Sequence, residues 1–384
     1  MLTGIDALAA GGAAAVVTAA LTPLTARLAR RVGAIDVPRD RGLSDRPTPR
    51  LGGVAICVGV LLPAVLWLPF KEPWKAVLVA ALLITLICAI DDVFDLPPLV
   101  KLAGQALCAW IVAYEGARVD NFTLPFIHRV DLSTPVAEIV TVLGLVLIMN
   151  AVNFSDGVDG LAAGVCAIAA ASFAIIAFDI PVRTAPSAPI AGTLSAMVAG
   201  AALGFLVWNF YPARVMMGDS GSNLLGLLLG CVAVLGTVKT SALVGLIAPL
   251  VILAVPFLDT TFVVLKRMKY RRPITGADAN HFHHRFSRIG FSPRRTVAYL
   301  YAWTGTLAGV ALALRFVPYT DRHGHFHAGW TIVMAVILLL ALSASVYLVY
   351  VLEILKLRGR FRRETDEEVE HRLETGEFQA LEAP

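Results

Sequence analysis

The sequence predicts an all-α polytopic membrane protein with about eleven transmembrane helices. Of its 384 residues, 57% are hydrophobic and only 16% are charged, a balance that excludes an ordinary soluble domain. The apolar residues form repeated runs of about 20 residues, the length that crosses the hydrocarbon core of a bilayer. These runs are continuous rather than alternating, so they favour helices over the strands of a membrane barrel.

The spans follow one another with short connections and form a single membrane domain over residues 1–355, followed by a charged tail at 356–384. The first run has no basic leader, and we read it as an uncleaved first helix. The expected spans are 5–26, 51–70, 75–90, 99–115, 136–152, 160–179, 188–208, 221–238, 241–265, 296–316 and 330–355.

The basic residues orient these spans. Most of the 32 Lys and Arg residues fall in the connections on one side and in the tail. The positive-inside rule places that side in the cytoplasm, so the N-terminus lies outside and the C-terminus is cytoplasmic. The opposite side has short connections, except for residues 116–135, whose Thr, Phe and Val content predicts a β-hairpin.

Five polar loops lie on the predicted cytoplasmic face, and each one precedes a helix. Helix N-termini carry partial positive charge and free N–H groups, so several such ends converging could bind an anion. The five loops cover residues 32–50, 91–100, 153–159, 209–220 and 266–295.

The first loop is basic and rich in turn-forming residues, and it ends at Arg50. A phosphate-binding role and a simple positive-inside loop explain it equally well. The second loop begins with the adjacent carboxylates Asp91 and Asp92 and leads to Lys101. Adjacent carboxylates suit Mg²⁺ or Mn²⁺, or a metal together with a base. The alternative is a solvated helix end.

The third loop belongs to a stretch, residues 150–160, that joins two long apolar runs. Asn150, Asn153, Asp156 and Asp159 recur at every third position, so a helical turn places neighbours near one face. Carboxylates at an embedded helix end are costly unless they are solvated, paired or bound to metal. A polar helix cap is the alternative.

The fourth loop ends in Gly218-Asp219-Ser220 and opens a long apolar helix. Gly, Ser and Asn at a helix N-terminus predict a cap that can bind phosphate, and Asp219 could hold a metal beside it. A plain N-cap with packing glycines is the alternative.

The fifth loop combines histidines with many basic residues. Its motif residues are His281, His283, His284 and Arg285. Zinc is disfavoured in such a cationic setting, whereas donors to phosphate oxygens fit it. Contact with anionic lipid explains the basic run at 266–272 but not the histidines.

Together these motifs resemble the polyprenyl-phosphate N-acetylhexosamine-1-phosphate transferases. The resemblance covers about Arg41 to Arg295 and all five loops in order. It implies transfer of a sugar-1-phosphate from a UDP-sugar to undecaprenyl phosphate, release of UMP, and a requirement for Mg²⁺ or Mn²⁺. It also implies a bacterial inner membrane location, a cytoplasmic active site, and the first membrane step of cell-envelope polysaccharide synthesis.

Loop five separates the branches of this family. Here Phe282 interrupts the histidines and Arg285 follows them, which resembles the branch that uses UDP-N-acetylglucosamine. The muramoyl-pentapeptide transferases carry three consecutive histidines instead. Transfer of phospho-N-acetylmuramoyl-pentapeptide or of another UDP-N-acetylhexosamine stays open.

The resemblance also implies roles for individual residues. Asn153 and Asp219 would be the metal ligands, and Asp91 the base or orienting group for the lipid phosphate, with Asp92 supporting it. Asp156 and Asp159 would contact the nucleotide or stabilise the loop, and the loop-five motif would hold the pyrophosphate or sugar. The remaining candidate substrate-binding residues are Arg50, Lys101, Asn150 and Ser220.

The expected partners are the UDP-sugar and the lipid phosphate, with a homodimer as a family-level expectation and no sign of nucleic-acid binding. A transporter is the competing class. It would predict ionisable groups near mid-bilayer and inverted repeats. The acidic residues gather at one face instead, and no repeat is found.

Overall fold

The computed structural model describes residues 2–36, 47–124, 127–183, 185–237, 250–258, 261, 291–317 and 327–347. Most of these residues are helical, and residues 250–258 hold two short helical segments. The longer helices are α1 (Gly4–Val32), α2 (Gly52–Trp67), α3 (Trp74–Phe94), α4 (Pro98–Tyr114), α5 (Thr134–Ser155), α6 (Leu161–Asp179), α7 (Ala188–Asn209), α8 (Gly218–Val232), α9 (Pro293–Phe316) and α10 (Ala328–Tyr347). A π-helical turn, Ala233–Thr237, extends α8.

The all-α polytopic class is confirmed. Within the described ranges, eight helices are long and apolar enough to cross a membrane, and α2 and α4 are shorter apolar helices. These ten helices match ten of the expected spans. The other expected span, 241–265, lies largely outside the described residues. The total number of spans and the orientation of the termini stay predictions.

Several helices extend further toward the polar loops than their apolar residues predict. The predicted spans end at residues 26, 90 and 152, whereas α1, α3 and α5 end at Val32, Phe94 and Ser155. The fourth loop also ends earlier than expected, because α8 begins at Gly218 rather than at 221. On α3 and α5, polar side chains of the added turns bind neighbouring helices, which lets the helical hydrogen bonding continue past the apolar segment.

Two short antiparallel strand pairs complete the described fold. Strands β1 (Ile35–Asp36) and β2 (Thr48–Pro49) lie between α1 and α2. Strands β3 (Asn121–Leu124) and β4 (Ile127–Asp131) form the expected hairpin between α4 and α5.

Helix α8 is the centre of the bundle. Every residue from Ser220 to Val232 is buried, and α8 packs against α2, α3, α4, α5, α6 and α7. A helix buried on all sides is apolar all round, and α8 follows this rule except in its first turns. The polar N-terminus of α8 is therefore enclosed by other helices.

Helices α1 and α7 run parallel and touch through small residues. A Cβ atom on Gly200 would lie 1.9 Å from the carbonyl oxygen of Gly11, and one on Gly204 would lie 2.2 Å from that of Ala15. Both helices advance by four residues from one contact to the next. Small side chains let two membrane helices approach at backbone distance.

Four residues further along both helices, a contact between Trp208 on α7 and Ala19 on α1 compensates for a proline inside α1. Pro23 has no N–H group, so the carbonyl of Ala19 lacks its usual partner within the helix. The indole Nε1–H of Trp208 on α7 donates to that carbonyl at 2.8 Å. The side chain of α7 thus satisfies the backbone group that the proline leaves free.

The helix ends that carry the polar loops meet at one end of the bundle, which we call the polar end. Here α1, α3, α5 and α7 end, and α2, α4, α6, α8 and α9 begin. Contacts between Arg50 and Asp36, Asp92 and α8, and Tyr301 and Gly160 connect these helix ends. The opposite end carries the β3–β4 hairpin and an ion pair between Arg315 and Asp179 at 2.7 Å.

Candidate active site

A carboxylate from α3 holds the N-terminus of α8. The backbone N–H groups of Asp219 and Ser220 donate to Oδ1 and Oδ2 of Asp92 at 2.8 and 3.1 Å. Gly218 precedes them with a φ of 72°, and a Cβ atom there would lie 2.5 Å from Asp92 Oδ2. Asp92 therefore acts as the cap of a helix 127 residues further along the chain, and only glycine fits beside it.

The N–H groups of Asp219 and Ser220, which the sequence analysis expected to bind a phosphate, are already occupied by Asp92. The hydroxyl of Ser220, a predicted substrate-binding residue, is fully buried and makes no hydrogen bond within the described residues. A phosphate could reach this N-terminus only by displacing Asp92. The structure thus places Ser220 in the packing of α8 and Asp92 on the helix backbone.

The predicted metal ligands Asn153 and Asp219 are in contact. Asn153 Nδ2 donates to Asp219 Oδ1 at 2.7 Å and to the hydroxyl of Ser222 at 2.8 Å. The Ser222 hydroxyl itself donates to the carbonyl of Gly218 at 3.1 Å, so it presents a lone pair to Asn153. Both N–H bonds of the amide are occupied, which leaves its carbonyl oxygen as the atom that could bind a metal.

Lys101 joins the two loops that carry Asp91 and Asp219. Its ammonium group contacts Oδ2 of Asp219 and lies 3.4 Å from Oδ2 of Asp91. The other oxygen of Asp91 accepts from the backbone N–H of Leu96 at 2.7 Å. The side chains of Lys101 and Asp91 are only 19% and 9% exposed, so this ion pair is screened little by solvent.

A layer of three amides, two of them buried, lies beneath these charged groups. Asn150 Nδ2 donates to Gln105 Oε1 at 2.8 Å and to the carbonyl of Val146 at 2.8 Å. Gln105 Nε2 donates to Asn223 Oδ1 at 2.6 Å, and Asn223 Nδ2 donates to the backbone carbonyl of Asp219 at 2.8 Å. Asn150, predicted to bind substrate, uses its amide N–H groups inside the protein. Asn223 was expected only as part of a phosphate-binding cap, and Gln105 was not predicted; the available signal was an amide inside an apolar span.

Loops three and four are joined by backbone hydrogen bonds to side chains. Asp159 Oδ2 accepts from the N–H of Ala213 at 2.8 Å. Asn209, fully buried at the end of α7, accepts from the N–H of Gly160 at 3.0 Å and donates to the carbonyl of Val215 at 3.0 Å. Of the two roles expected for Asp159, these contacts favour stabilisation of the loop. Asn209 was missed, because nothing in its local sequence indicates its partners.

Both carboxylates of loop three lie in surroundings that favour the neutral form. Burial raises the pKa of Asp156 well above its usual value, the carboxylate of Asp92 raises it further, and Arg50 lowers it. Burial also raises the pKa of Asp159, and the hydrogen bond from Ala213 acts in the opposite direction.

Arg50 pairs with Asp36 and lies within electrostatic range of Asp92. Its guanidinium donates to Oδ1 of Asp36 at 2.5 Å, and its charge acts on Asp92 and Asp156. The next residue, Leu51, has a φ of 79°, a left-handed conformation that costs a residue with a side chain about 1–2 kcal/mol. Asp36 was not singled out, because it lies in a segment that looks simply basic.

The residues at the polar end fit a divalent cation. Among the described residues no three His, Cys, Asp or Glu side chains lie close enough to form a complete metal site. Asp91 and Asp219 nevertheless share one ammonium group, so two carboxylates from different helices face the same position of positive charge. Carboxylate oxygens and the Asn153 carbonyl are the hard donors that Mg²⁺ prefers, and Mg²⁺ takes its other ligands from water and substrate phosphates.

Two parts of the expected site lie outside the described residues. These are residues 37–46 of loop one and the loop-five motif. The roles of His281, His283, His284 and Arg285 stay predictions.

Comparison with known proteins gives a consistent result. A family model described as glycosyl transferase family 4 matches residues 74–237, from the start of α3 to the end of the π-helical turn. The matched region includes Asp91, Asp92, Asn153 and Asp219.

Three relatives illustrate the similarity. A probable undecaprenyl-phosphate N-acetylglucosaminyl 1-phosphate transferase of Bacillus subtilis (strain 168) is 36% identical over 283 residues, which cover 73% of this chain and 77% of the relative. A decaprenyl-phosphate N-acetylglucosaminephosphotransferase of Mycobacterium leprae is 35% identical and covers 80% of this chain and 84% of the relative. A phospho-N-acetylmuramoyl-pentapeptide-transferase of Desulforudis audaxviator is 33% identical over a region that covers 81% of this chain and 98% of the relative.

Proposed function

Because the chain belongs to glycosyl transferase family 4 and is an enzyme that transfers a sugar phosphate, we propose that it uses UDP-N-acetylglucosamine as donor and undecaprenyl phosphate as acceptor. The products are N-acetylglucosaminyl-diphospho-undecaprenol and UMP. We place the reaction at the cytoplasmic face of a bacterial inner membrane, following the distribution of basic residues in the loops. A homodimer is a further part of the proposal.

One observation carries this proposal. Asp91, Lys101, Asn153 and Asp219 come from four helices and meet at the polar end of an otherwise apolar bundle. Both proposed substrates are phosphate anions, one of them held in the bilayer by its isoprenoid chain. A lysine held between two carboxylates at the end of an apolar bundle, where the phosphate of a membrane-bound lipid would lie, suits that pair of substrates.

The transfer needs no proton to be removed from the acceptor. An oxygen of the lipid phosphate attacks the β-phosphorus of the donor, and the bond from that phosphorus to the oxygen of UMP breaks with its electron pair. A phosphate monoester has its second pKa near 6, so at neutral pH it is largely a dianion. Between the two roles expected for Asp91, orienting Lys101 toward the lipid phosphate is therefore better supported than general base.

The chain's own groups fix the reacting geometry. Asp92 holds the first turn of α8, and Ser222 orients the amide of Asn153. Lys101 can exchange its contact with Asp219 for one with a phosphate oxygen. When bound to Asp219 and Asn153, a Mg²⁺ or Mn²⁺ ion supplies charge neutralisation for the pyrophosphate and for the departing UMP. We assign binding of the pyrophosphate or sugar to the loop-five motif.

Release of UMP by the purified protein tests the proposal. The assay contains undecaprenyl phosphate, Mg²⁺ and one of three donors: UDP-N-acetylglucosamine, UDP-N-acetylgalactosamine or UDP-N-acetylmuramoyl-pentapeptide. We expect turnover with the first donor. Turnover with another donor alone would keep the reaction and refute the donor assignment, and no release with any of the three would refute the proposed reaction.

The pentapeptide donor is the second candidate. The similarity to phospho-N-acetylmuramoyl-pentapeptide-transferases favours it, since one of them is matched over 98% of its length. The relatives named for N-acetylglucosamine transfer are more similar in sequence, at up to 36% identity. The interruption of the histidines by Phe282 also favours UDP-N-acetylglucosamine as the donor.

A further inference from the structure

We propose that Gln105 is a positioning residue for the transfer reaction, because it fixes α4, α5 and α8 in one register through a directed chain of three amides and so places Asp219. This inference rests on the proposed function. It concerns a residue that does not touch the substrates.

The direction of the amide chain is determined by its two ends. Asn223 donates to the backbone carbonyl of Asp219, and Asn150 donates to the backbone carbonyl of Val146; a carbonyl can only accept. The Nδ2 side of each asparagine is thereby identified without reference to how the amide atoms were assigned. Asn223 presents its oxygen to Gln105, whereas Asn150 presents a second N–H bond to it.

Gln105 must therefore donate on one side and accept on the other. A neutral amide of this length offers both functions at the two ends of a single planar group, and of the other side chains only the protonated carboxyl of Glu matches it in length and shape. Gln105 is 1% exposed and Asn223 is fully buried, whereas Asn150 is partly buried, so water is excluded from the bond between Gln105 and Asn223. An apolar side chain at position 105 would leave the buried oxygen of Asn223 and one N–H bond of Asn150 without their present partner.

The amide layer lies one turn deeper in the bundle than the charged groups. Lys101 and Gln105 are four residues apart on α4, Asn150 and Asn153 are three apart on α5, and Asp219 and Asn223 are four apart on α8. Residues at these spacings lie on the same helix face, separated by about one helical pitch of 5.4 Å. Each helix therefore contributes one residue to each layer, and a shift of register in the amide layer displaces the charged layer.

Replacement of Gln105 by methionine removes both hydrogen bonds while keeping a long unbranched side chain. We expect kcat of Gln105→Met to fall by about 10- to 100-fold, the range found when groups that orient metal ligands are lost. We expect the KM for the UDP-sugar to stay within about twofold, because substrate contacts are retained. The affinity for Mn²⁺ without substrates, measured by electron paramagnetic resonance, should fall by about tenfold or more.

A matched control removes a buried hydrogen bond elsewhere. The hydroxyl of Thr193 on α7 is fully buried and donates to the carbonyl of Pro189 at 2.8 Å. Thr193→Val should leave kcat and Mn²⁺ affinity unchanged. Wild-type values of both quantities in Gln105→Met would overturn the inference. If the wild-type protein transfers no sugar phosphate, the proposed function fails, and Mn²⁺ binding still decides the role of Gln105.

A second variant tests the direction of the amide chain. In Gln105→Glu, a protonated carboxyl still donates on one side and accepts on the other, whereas an ionised one only accepts. The activity of the variant relative to wild type should therefore be high at low pH and fall as the pH rises through the pKa of the introduced carboxyl, which burial raises.

At each pH the activity of the variant is divided by that of wild type, so the titration of groups that both proteins share cancels. At this end of α3, α4, α5 and α8 these groups are Cys88, Asp91, Asp92, Asp95, Lys101, Cys108, Asp156 and Asp219. A constant ratio between about pH 5.5 and 8.5 would overturn the inference, because an ionised carboxylate cannot donate to Asn223. This variant also decides the matter if Gln105→Met does not fold.

Discussion

Two interfaces join helices across this bundle, and they use opposite chemistry. Between α1 and α7, small residues such as Gly11, Gly200 and Gly204 bring two backbones together. Where α3, α4 and α5 meet α8, polar side chains such as Asp92 and Gln105 bind one another and the backbone. One turn further along α8 than Asn223, Gly226 brings α8 close to the backbone of α5. A Cβ atom on Gly226 would lie 2.6 Å from Cα of Met149.

The comparison shows that holding two helices together and placing individual atoms are different tasks, which the two interfaces perform separately. Close backbone packing gives dispersion energy, and its geometry is set by the shape of the two surfaces. A hydrogen-bonded network also fixes which atom faces which, and each unpaired member is expensive. Damage to the first interface should lower stability, whereas damage to the second should lower catalysis more than stability.

The largest expected effect comes from Asp219→Ala. It removes the carboxylate that contacts Lys101 and Asn153, so we expect kcat to fall by about a thousandfold or more. The melting temperature should change little, because Asp219 holds α8 through its backbone. Asp179→Asn is the control: this carboxylate pairs with Arg315 at the opposite end, and turnover should stay normal. Near-normal turnover of Asp219→Ala would refute the site.

Gly218→Ala should affect both properties. Its φ of 72° costs a residue with a side chain about 1–2 kcal/mol, and its Cβ atom would displace Asp92. We expect a lower melting temperature and a kcat reduced by about 10- to 100-fold. Gly305→Ala on α9 meets no atom within 4 Å and should leave turnover unchanged. Full activity of Gly218→Ala would show that the cap by Asp92 is dispensable.

Gly200→Ala should damage the other interface alone. The added Cβ atom would lie 1.9 Å from the carbonyl oxygen of Gly11, and overpacking of this kind costs about 1–3 kcal/mol. Thermal unfolding in detergent should occur at a lower temperature, while kcat per folded molecule stays at the wild-type value. Gly144→Ala on α5, which points into open space, serves as control. A large fall in kcat with unchanged stability would break the distinction between the interfaces.

The smallest expected effect is an interaction between Trp208 and Pro23. Trp208→Phe should destabilise the protein by about 1 kcal/mol, because it leaves the Ala19 carbonyl unpaired. In a Pro23→Ala background, the backbone of residue 23 can satisfy that carbonyl, so the same change should have less effect. Unfolding measurements on the two single variants and the double variant give the coupling. Strict additivity would contradict the compensation.

The fold class was predictable because hydropathy alone separates long apolar helices from everything else. The ten described helices coincide with expected spans, and the hairpin between α4 and α5 was expected from its composition. The helix ends were predicted less well. Asp91 and Asp92 lie in the last turn of α3 rather than in a loop, because their partners on α4 and α8 allow polar residues to remain helical.

The site was predictable where the family resemblance indicated which residues act together. Asn153 and Asp219, expected to act together, are in contact although 66 residues separate them. The role of Asp92 was not predictable, since an N-cap normally comes from the residue next to the helix and this one is supplied by another helix. The partners of Gln105 and Asn223 follow from the packing of three helices, which no local pattern encodes. The metal requirement and the loop-five motif stay predictions.

The parallel pairing of α1 with α7 also has a consequence in time. Ala19 and Trp208 are 189 residues apart, and chains are synthesised at about 5–20 residues per second. The first helix therefore waits roughly 10 to 40 s before its partner exists. Throughout that interval the glycine face of α1 lies against lipid or the insertion machinery, and the carbonyl freed by Pro23 has no indole donor. Assembly of this bundle is complete only after its seventh helix arrives.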